Sequence, residues 1–163
     1  TKIEKKIKVK IPKGVSTGIR LRISGEGEAG TRGGSHGDLF VDIYVRPHEL
    51  FERYEDDILV NVPITFPQAV FGAEIDVPTL DGKVKMKVPP GTQSGKIFRL
   101  RNKGFPHLRL YGSGDEHVKI FVEVPGSLNA KQTKALREFA MTLGDESTPL
   151  RKSFLERLKK IVK

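Results

Sequence analysis

Apolar and polar residues alternate in the segment KIKVKI near the start of the chain (residues 6–11), with lysine at every second position. This period of two is typical of a β-strand with one buried face and one solvent face. The turn PKG follows at residues 12–14, and the alternation resumes in IRLRI at residues 19–23. The pattern therefore predicts two strands, over residues 3–11 and 19–23, joined by a Pro/Gly turn.

The same pattern recurs 77 residues later in the chain. KIKVKIPKGVSTGIRLRISGEG and GDLFVDIYV are repeated as KVKMKVPPGTQSGKIFRLRNKG and GDEHVKIFV, and the offset is the same for both segments. We call residues 6–45 the first repeat and residues 83–122 the second repeat. Because the period is too long for a solenoid unit, the repeats indicate two copies of a small β domain.

The two repeats differ in what precedes them. Residues 58–80 form a predicted strand–helix–strand segment ahead of the second repeat, with the short helix or turn at TFPQAVFG. Only residues 1–5 precede the first repeat, so we expect the first domain to be incomplete in this chain. Its other strands are expected either to have been removed or to come from elsewhere in the full protein. The further predicted strands are residues 39–45, 58–63, 73–77 and 118–124.

The segment between the repeats is rich in charge. ERYEDD (residues 52–57) predicts a charged connector at the boundary between the repeats, and Pro47 ends the strand before it. Phe51 is unusual there, because it is a large apolar ring in a polar segment. Two interpretations stay open: Phe51 fills a junction between two domains, or it borders an apolar pocket for a partner.

Two amphipathic helices are predicted at the end of the chain. Asn129 and Gln132 have the spacing of a capping box at the start of the first helix, and Thr148-Pro149 opens the second. We predict that their apolar stripes pair with another chain rather than pack back on the sheet. The first stripe is Leu136, Phe139, Ala140 and Leu143, and the second is Leu150, Phe154, Leu158 and Ile161.

The composition is that of a folded, basic protein. Of 163 residues, 37% are hydrophobic and 30% are charged, and the net charge is +9. Much of the positive charge comes from lysines at alternate strand positions, which is typical of a solvated face that discourages edge-to-edge aggregation. A nucleic-acid surface is the alternative, but base-stacking aromatic residues are scarce, with no Trp and three Tyr.

Several classes of function are disfavoured by what the sequence lacks. It has no Cys, which excludes disulfides and Cys-based zinc sites in this chain and fits a reducing compartment. No apolar run approaches the ~20 residues that span a bilayer, so we expect no membrane partner. The expected location is the cytoplasm. The four His residues match no metal-binding or catalytic spacing, and residues 55–57 (EDD) are interpreted as a solvated charge run. Without a nucleophile–base motif, we expect a binding protein and not an enzyme.

Four long segments match one family closely. They are IPKGVSTGIRLRISGEGEAG, GDLFVDIYVRPHELFER, VPTLDGKVKMKVPPGTQSGKIFRLRNKG and VEVPGSLNAKQTKALREFA, and they occur in the family's order. In these segments the chain resembles the C-terminal substrate-binding region of the DnaJ family of J-domain co-chaperones. The resemblance covers nearly the whole chain and is weaker after Gly144.

The resemblance implies a mainly β fold of two tandem, small, β-sandwich-like C-terminal domains, the first incomplete, followed by C-terminal helices. It divides the chain into the remainder of C-terminal domain I (1–47), a link (48–57), domain II (58–126) and a dimerisation helix with a helical tail (127–163). It also implies that the J domain, the Gly/Phe-rich linker and the Cys-rich zinc module lie outside this chain. No zinc or other cofactor is therefore expected here.

The resemblance further implies a homodimer, joined through the C-terminal helix, that binds unfolded polypeptide and delivers it to a DnaK-type chaperone. In the family, an extended client adds to a sheet edge and places an apolar side chain in a pocket. Carried onto this sequence, the client-binding residues are Leu21, Ile23 and Phe51. The alternative for Leu21 and Ile23 is plain sheet core.

Two further sets of residues follow from the resemblance. A secondary client site is expected at Ile75, Val77, Phe98 and Leu100. The expected dimer contacts are the first helical stripe, Leu136, Phe139, Ala140 and Leu143. Two other functions stay open, a structural fragment that only dimerises and a basic protein that binds nucleic acid.

Overall fold

A computed structural model of the chain describes residues 2–162. The described residues form two units, residues 2–123 and residues 124–162. Among these residues, all strands, one short α-helix and a 3-10 helix (Thr31–Gly33) lie in the first unit, and two longer helices lie in the second. None of the described helices is long and apolar enough to cross a membrane.

The first unit contains eight strands and one α-helix among the described residues. They are β1 (Arg20–Ile23), β2 (Leu39–Asp42), β3 (Phe51–Tyr54), β4 (Asp57–Thr65), α1 (Phe66–Phe71), β5 (Ala73–Thr79), β6 (Gly82–Val88), β7 (Ile97–Leu100) and β8 (Glu116–Glu123). β1 and β2 form an antiparallel pair, and β5 and β6 form a hairpin. The largest sheet has the order β3-β4-β8-β7, in which only the neighbours β4 and β8 run parallel.

The core lies where β4 and β8 pack against α1 and the β5–β6 hairpin. Alternate residues of these strands are apolar and share one face, so one face of the sheet becomes dry while the other remains polar. None of the core residues identified in the described chain comes from the first repeat. The core consists of Val60, Ile64, Ala69, Ile75, Val77, Met86, Val88, Val118 and Ile120.

The short helix predicted after β4 is confirmed. Thr65 caps it: its hydroxyl accepts the backbone N–H of Gln68 at 3.2 Å, and the Gln68 side-chain oxygen accepts the N–H of Thr65 at 3.0 Å. Pro67 lies in the first turn, where its missing N–H has no consequence. The helix carries the chain from β4 to the hairpin and contributes the buried Ala69 to the core.

The strand predicted over residues 3–11 is wrong, because these residues form no regular structure. Their alternation is intact, but a strand also needs a neighbouring strand to pair its backbone groups. In the described chain, β1 and β2 pair with each other alone. The strand predicted over residues 39–45 is shorter and ends at Asp42, whereas the one predicted over 118–124 starts earlier, at Glu116.

The charged connector predicted at residues 52–57 contains regular structure. Phe51–Tyr54 forms β3, which pairs with β4 from Phe51 opposite Val60 to Tyr54 opposite Asp57. Two residues make the turn between these strands, and one of them, Glu55, has a φ of +55°. The charged segment therefore forms a tight hairpin, and its role as a link between two domains stays a prediction.

The second unit contains α2 (Ala130–Thr142) and α3 (Pro149–Ile161). The predicted capping box is confirmed: Asn129 accepts the N–H of Gln132 at 2.8 Å, and the Gln132 side chain accepts the N–H of Asn129 at 3.0 Å. Neither helix contains a buried residue. The predicted fold class, mainly β followed by C-terminal helices, is confirmed.

Candidate functional site

A cavity of about 860 Å³ lies in the first unit beside β3. The first repeat contributes Ser16, Thr17 and Val45 to its walls, and β3 with the segment before it contributes another wall. Charged side chains such as Arg46 and Glu52 also line the cavity. Its apolar lining consists of Val45, Pro47, Phe51, Leu80 and Phe105. This mixture of apolar walls and a few polar groups is typical of a ligand-binding cavity.

Phe51 is fixed at the cavity by its neighbours in sequence and in the sheet. It is half-buried at the start of β3 and packs against the edge of the core. The ring of His48 lies 4.9 Å from the ring of Phe51, centroid to centroid. His48 Nδ1 in turn accepts the backbone N–H of Leu50 at 3.0 Å, which holds the imidazole in place. The ring therefore borders a cavity within the first unit, and its role at a domain junction or in a partner's pocket stays a prediction.

Arg53 joins three segments of the first unit. Its guanidinium donates from Nη1 to the carbonyl of Val15 at 2.7 Å and from Nη2 to that of Gly14 at 3.2 Å. Nε donates to the carbonyl of Glu55 at 2.7 Å. The guanidinium carbon lies 3.9 Å from the centroid of the Phe105 ring, in cation–π geometry. Because only 20% of the Arg53 side chain is exposed, these contacts are shielded from water.

The two aspartates that follow this arginine in the sequence each pair with a distant histidine. Asp56 Oδ2 lies 2.7 Å from His107 Nδ1, and Asp57 Oδ2 lies 3.1 Å from His117 Nε2. Asp57 also accepts the backbone N–H of Asp115 at 2.7 Å. This N–H, followed by His117, lowers the pKa of Asp57. The interpretation of Asp56 and Asp57 as a solvated charge run is wrong, because tertiary pairing half-buries both.

Glu116 is a buried carboxyl without a polar neighbour to bind it. Its side chain is 0% exposed, and neither carboxylate oxygen has a hydrogen-bond partner. It lies on β8 between Ile58 of β4 and Leu100 of β7. Burial raises the pKa of Glu116 to about 7, and the charge of Lys103 opposes this shift. The first repeat has the apolar residue Leu39 at the equivalent position.

Comparison with known proteins identifies the family. The model for the DnaJ C terminal domain matches residues 1–125, and the model for the Chaperone protein DnaJ C-terminal region matches residues 131–161. The chain belongs to the DnaJ family. The resemblance found in the sequence is thereby confirmed.

Curated DnaJ proteins match the chain over nearly its whole length. Chaperone protein DnaJ of Listeria monocytogenes serotype 4a (strain HCC23) is 56% identical over 159 residues, which are 98% of this chain and 42% of that protein. Chaperone protein DnaJ of Halothermothrix orenii is 53% identical over 156 residues, 96% of this chain and 42% of that protein. The chain thus spans about 42% of the length of these curated relatives.

The structure separates the three client-binding residues predicted for this DnaJ-family chain. Phe51 lines the 860 Å³ cavity, whereas Leu21 and Ile23 line another cavity of about 550 Å³ together with Lys8 and Arg109. Leu21 and Ile23 are half-buried on one face of β1, as their alternation predicts. Their role in client binding stays a prediction.

The secondary client site predicted for the DnaJ-family chain consists of core and core-edge residues. Ile75 and Val77 are 9% and 0% exposed, on the inner face of β5. Phe98 and Leu100 of β7 are half-buried and pack against the same core. A client that touched Ile75 or Val77 would have to displace the hairpin, and the role of all four residues stays a prediction.

Of the dimer contacts predicted for the DnaJ-family chain, three lie on the surface of α2, and Leu143 is the C-cap residue that follows it. Leu136, Phe139 and Leu143 are 48%, 41% and 44% exposed, and Ala140 between them is exposed as well. Phe139 and Ala140 follow Leu136 by three and four positions, so these three side chains lie on one face of the helix. An exposed apolar stripe of this kind is compatible with pairing, and pairing itself stays a prediction.

Proposed function

We propose that this chain binds unfolded polypeptide at the cavity beside β3, dimerises through α2, and serves delivery of the client to a DnaK-type chaperone. The observation that carries the proposal is the apolar cavity to which Phe51, Leu80 and Phe105 contribute. Unfolded polypeptides expose apolar side chains, and transfer of such a side chain from water into an apolar cavity is favourable. The proposed activity is binding alone and needs no nucleophile or cofactor.

The position of β3 supports a second element of the proposed site. β3 is one of the two edge strands of the four-stranded sheet, so part of its backbone N–H and C=O groups face away from β4. We infer that an extended client pairs with this edge by β-augmentation while one apolar side chain enters the cavity. Phe51 belongs to both elements, because it starts β3 and lines the cavity.

The proposed dimerisation rests on the apolar stripe of α2. Covering this stripe with a second copy would remove apolar area from water, at roughly 25 cal/mol for each Å². Leu136→Asp should therefore abolish the dimer, because the carboxylate would be buried without a partner. Met141→Asp is the matched control, since Met141 is 86% exposed and lies off the stripe. Sedimentation velocity measures the outcome, and a dimeric Leu136→Asp variant would contradict the assignment.

The lysine-rich strands give little support to nucleic-acid binding. Lys83 and Lys85 lie 3.8 Å and 3.2 Å from the carboxylate of Asp76. Lys85, and to a smaller degree Lys83, lowers the pKa of Asp76, so a negative charge lies within the basic face. A salt titration separates the two functions, because nucleic-acid affinity falls steeply with salt whereas binding in an apolar cavity does not. A steep loss of affinity for duplex DNA would favour the alternative.

Suppression of aggregation tests client binding directly. A chemically denatured client is diluted into buffer with the parent chain or a variant, and light scattering is recorded. Phe51→Ala should weaken suppression so that about tenfold more protein is needed, because a buried aromatic anchor is lost. Phe71→Ala is the matched control, since Phe71 is 78% exposed on α1 and does not line the cavity.

Each result of the aggregation assay has a defined meaning. Inactivity of the parent chain would contradict client binding and favour a fragment that only dimerises. Equal activity of Phe51→Ala and the parent would contradict the proposed cavity. A Leu21→Ala variant extends the test to the smaller cavity, and a loss there with none at Phe51 would move the site to β1.

A further inference from the structure

The first repeat meets the rest of its unit at a small group of residues near the cavity. We call this group, Gly14, Arg53, Asp56, Phe105 and His107, the clasp. It brings together the Pro/Gly turn of the first repeat, the β3–β4 hairpin and the loop after β7. These three segments are far apart in sequence, so the clasp is purely a product of the tertiary fold.

Gly14 shows how closely the first repeat approaches its neighbour. A Cβ atom added to Gly14 would lie 2.1 Å from the carbonyl oxygen of Pro106, a distance that no side chain allows. Its equivalent in the second repeat, Gly91, has a similar φ of +78°, but a Cβ there would meet nothing within 4 Å. A glycine at position 14 is therefore required for the contact between segments, in addition to the turn itself.

Arg53 binds the Pro/Gly turn of the first repeat through hydrogen bonds. Its planar guanidinium presents several N–H donors in a fixed arrangement, and Nη1 and Nη2 reach the adjacent carbonyls of Val15 and Gly14. The ring of Phe105 covers the guanidinium face at 3.9 Å. A lysine keeps the charge at this position but has a single ammonium group, which cannot donate to both carbonyls and Glu55 in the same geometry.

Asp56 and His107 fix the remaining two segments to each other. The backbone carbonyl of Asp56 accepts the N–H of Phe105 at 2.7 Å, and its carboxylate lies 2.7 Å from His107 Nδ1. The same carboxylate lies 3.7 Å from Arg53 Nη2. The β3–β4 hairpin and the loop after β7 are thus bound to each other, and both contact the Pro/Gly turn of the first repeat.

We propose that the clasp holds the first repeat in place and thereby sets the shape of the cavity, which makes Arg53 a positioning residue for polypeptide binding. This inference rests on the proposed function. The first repeat forms a two-stranded sheet, which is marginally stable by itself, and still supplies Ser16, Thr17 and Val45 to the cavity. Without the clasp, that wall is free to move away from Phe51.

The test compares Arg53→Lys and Gly14→Ala with the parent and with Gly91→Ala. Gly91→Ala is the matched control, because it has the same backbone strain without the close approach. The rate of amide hydrogen exchange over residues 15–45 reports whether the first repeat keeps its folded position. The rate over residues 83–122 reports whether the second repeat stays folded. Fluorescence anisotropy with labelled, reduced and carboxymethylated lactalbumin, a permanently unfolded probe, measures binding.

We expect faster exchange over residues 15–45 and about tenfold weaker probe binding for Arg53→Lys and Gly14→Ala, with exchange over residues 83–122 unchanged in Arg53→Lys. Gly91→Ala should keep the parent's exchange over residues 15–45. Unchanged exchange in Arg53→Lys and Gly14→Ala would overturn the clasp. Faster exchange with unchanged affinity would overturn the positioning role alone. A parent that does not bind the probe would contradict the proposed function and the positioning role, while the exchange data would still judge the clasp.

Discussion

The two repeats share a set of hydrogen bonds but differ in what covers their strands. In both, a glycine N–H donates to the carbonyl of an isoleucine further along the repeat, an arginine side chain pairs with an aspartate, and a hydroxyl accepts a backbone N–H. The equivalent bonds are Gly18 to Ile43 and Gly95 to Ile120, Arg22 to Asp38 and Arg99 to Asp115, and Val45 to Thr17 and Val122 to Ser94. Local sequence therefore specifies the same local structure twice.

Burial separates the two copies. In the second repeat, Met86 and Val88 pair with β5 and are 8% and 2% exposed. At the equivalent positions of the first repeat, Val9 is half-buried and Ile11 is 58% exposed, and the segment forms no strand. The same alternation thus yields a core strand beside a partner strand and irregular chain without one. Strand formation depends on the neighbour as much as on the pattern.

The largest difference in stability is expected when the equivalent isoleucine is truncated in each repeat. Ile120 and Ile43 are equivalent and make the same backbone hydrogen bonds, but Ile120 is 1% exposed whereas Ile43 is half-buried. Ile120→Ala should lower the free energy of unfolding by about 2–5 kcal/mol, and Ile43→Ala by about 1 kcal/mol. Urea unfolding followed by circular dichroism measures both. Equal losses would show that the first repeat is as well covered as the second.

A change of similar size in the free energy of unfolding is expected when Glu116 titrates. The folded state raises the pKa of this carboxyl from 4.5 to about 7, so folding favours its protonated form. Its contribution to stability is full below pH 4.5 and is lost as the pH rises through 7. The loss amounts to about 3 kcal/mol, since one pKa unit corresponds to about 1.4 kcal/mol.

Glu116→Gln isolates this titration, because the amide keeps the shape of the protonated carboxyl. Between pH 4.5 and pH 8, the parent should lose about 3 kcal/mol more of its free energy of unfolding than the variant. Urea unfolding at several pH values checks this. Glu116→Leu, which copies Leu39 of the first repeat, should be more stable than the parent at pH 8. Parallel pH profiles for parent and variants would contradict the buried, unpaired carboxyl.

The smallest difference in stability is expected at the Arg–Asp pair that both repeats contain. The N–H of Gly25 and the Arg22 side chain lower the pKa of Asp38, and the N–H of Asn102 and Arg99 do the same for Asp115. Each carboxylate stabilises the fold above its ordinary pKa of 3.8, and this contribution is lost as the pH falls through the lowered value.

Asp38→Asn and Asp115→Asn should therefore cause small and similar decreases in Tm at pH 7. The decreases should shrink in acid, because protonation has already weakened the parent's bonds there. Thermal unfolding at pH 7 and at low pH measures both. A much larger effect in one repeat would break the equivalence of the two Arg–Asp pairs.

The sequence predicted those parts of the fold that local chemistry determines. The constant offset located β1 and β7, and β2 and β8, because glycines with positive φ and alternating side chains recur at fixed positions. It failed for residues 3–11 and for β3, since strand pairing is decided by segments distant in the chain. The charges around β3 concealed a hairpin, because Arg53, Asp56 and Asp57 have partners that are distant in the sequence.

The candidate site was predictable only where a residue contrasted with its surroundings. Phe51 was found because an aromatic ring stands in a charged segment. Arg53 and Phe105 were missed, because nothing in a sequence shows that a guanidinium will meet a distant ring. Glu116 had a readable signal: the repeat alignment places it opposite Leu39, which marks a charged residue at an inward position.

Photo-crosslinking tests the central claim, that unfolded polypeptide binds beside β3, most directly. Benzoylphenylalanine is placed at Tyr54, which is 60% exposed and lines the cavity, and separately at the fully exposed Tyr111. Irradiation with reduced, carboxymethylated lactalbumin should give a crosslinked product at position 54, and an excess of unlabelled unfolded protein should suppress it. Position 111 should give little product. Equal crosslinking at both positions, or none at position 54, would contradict the account.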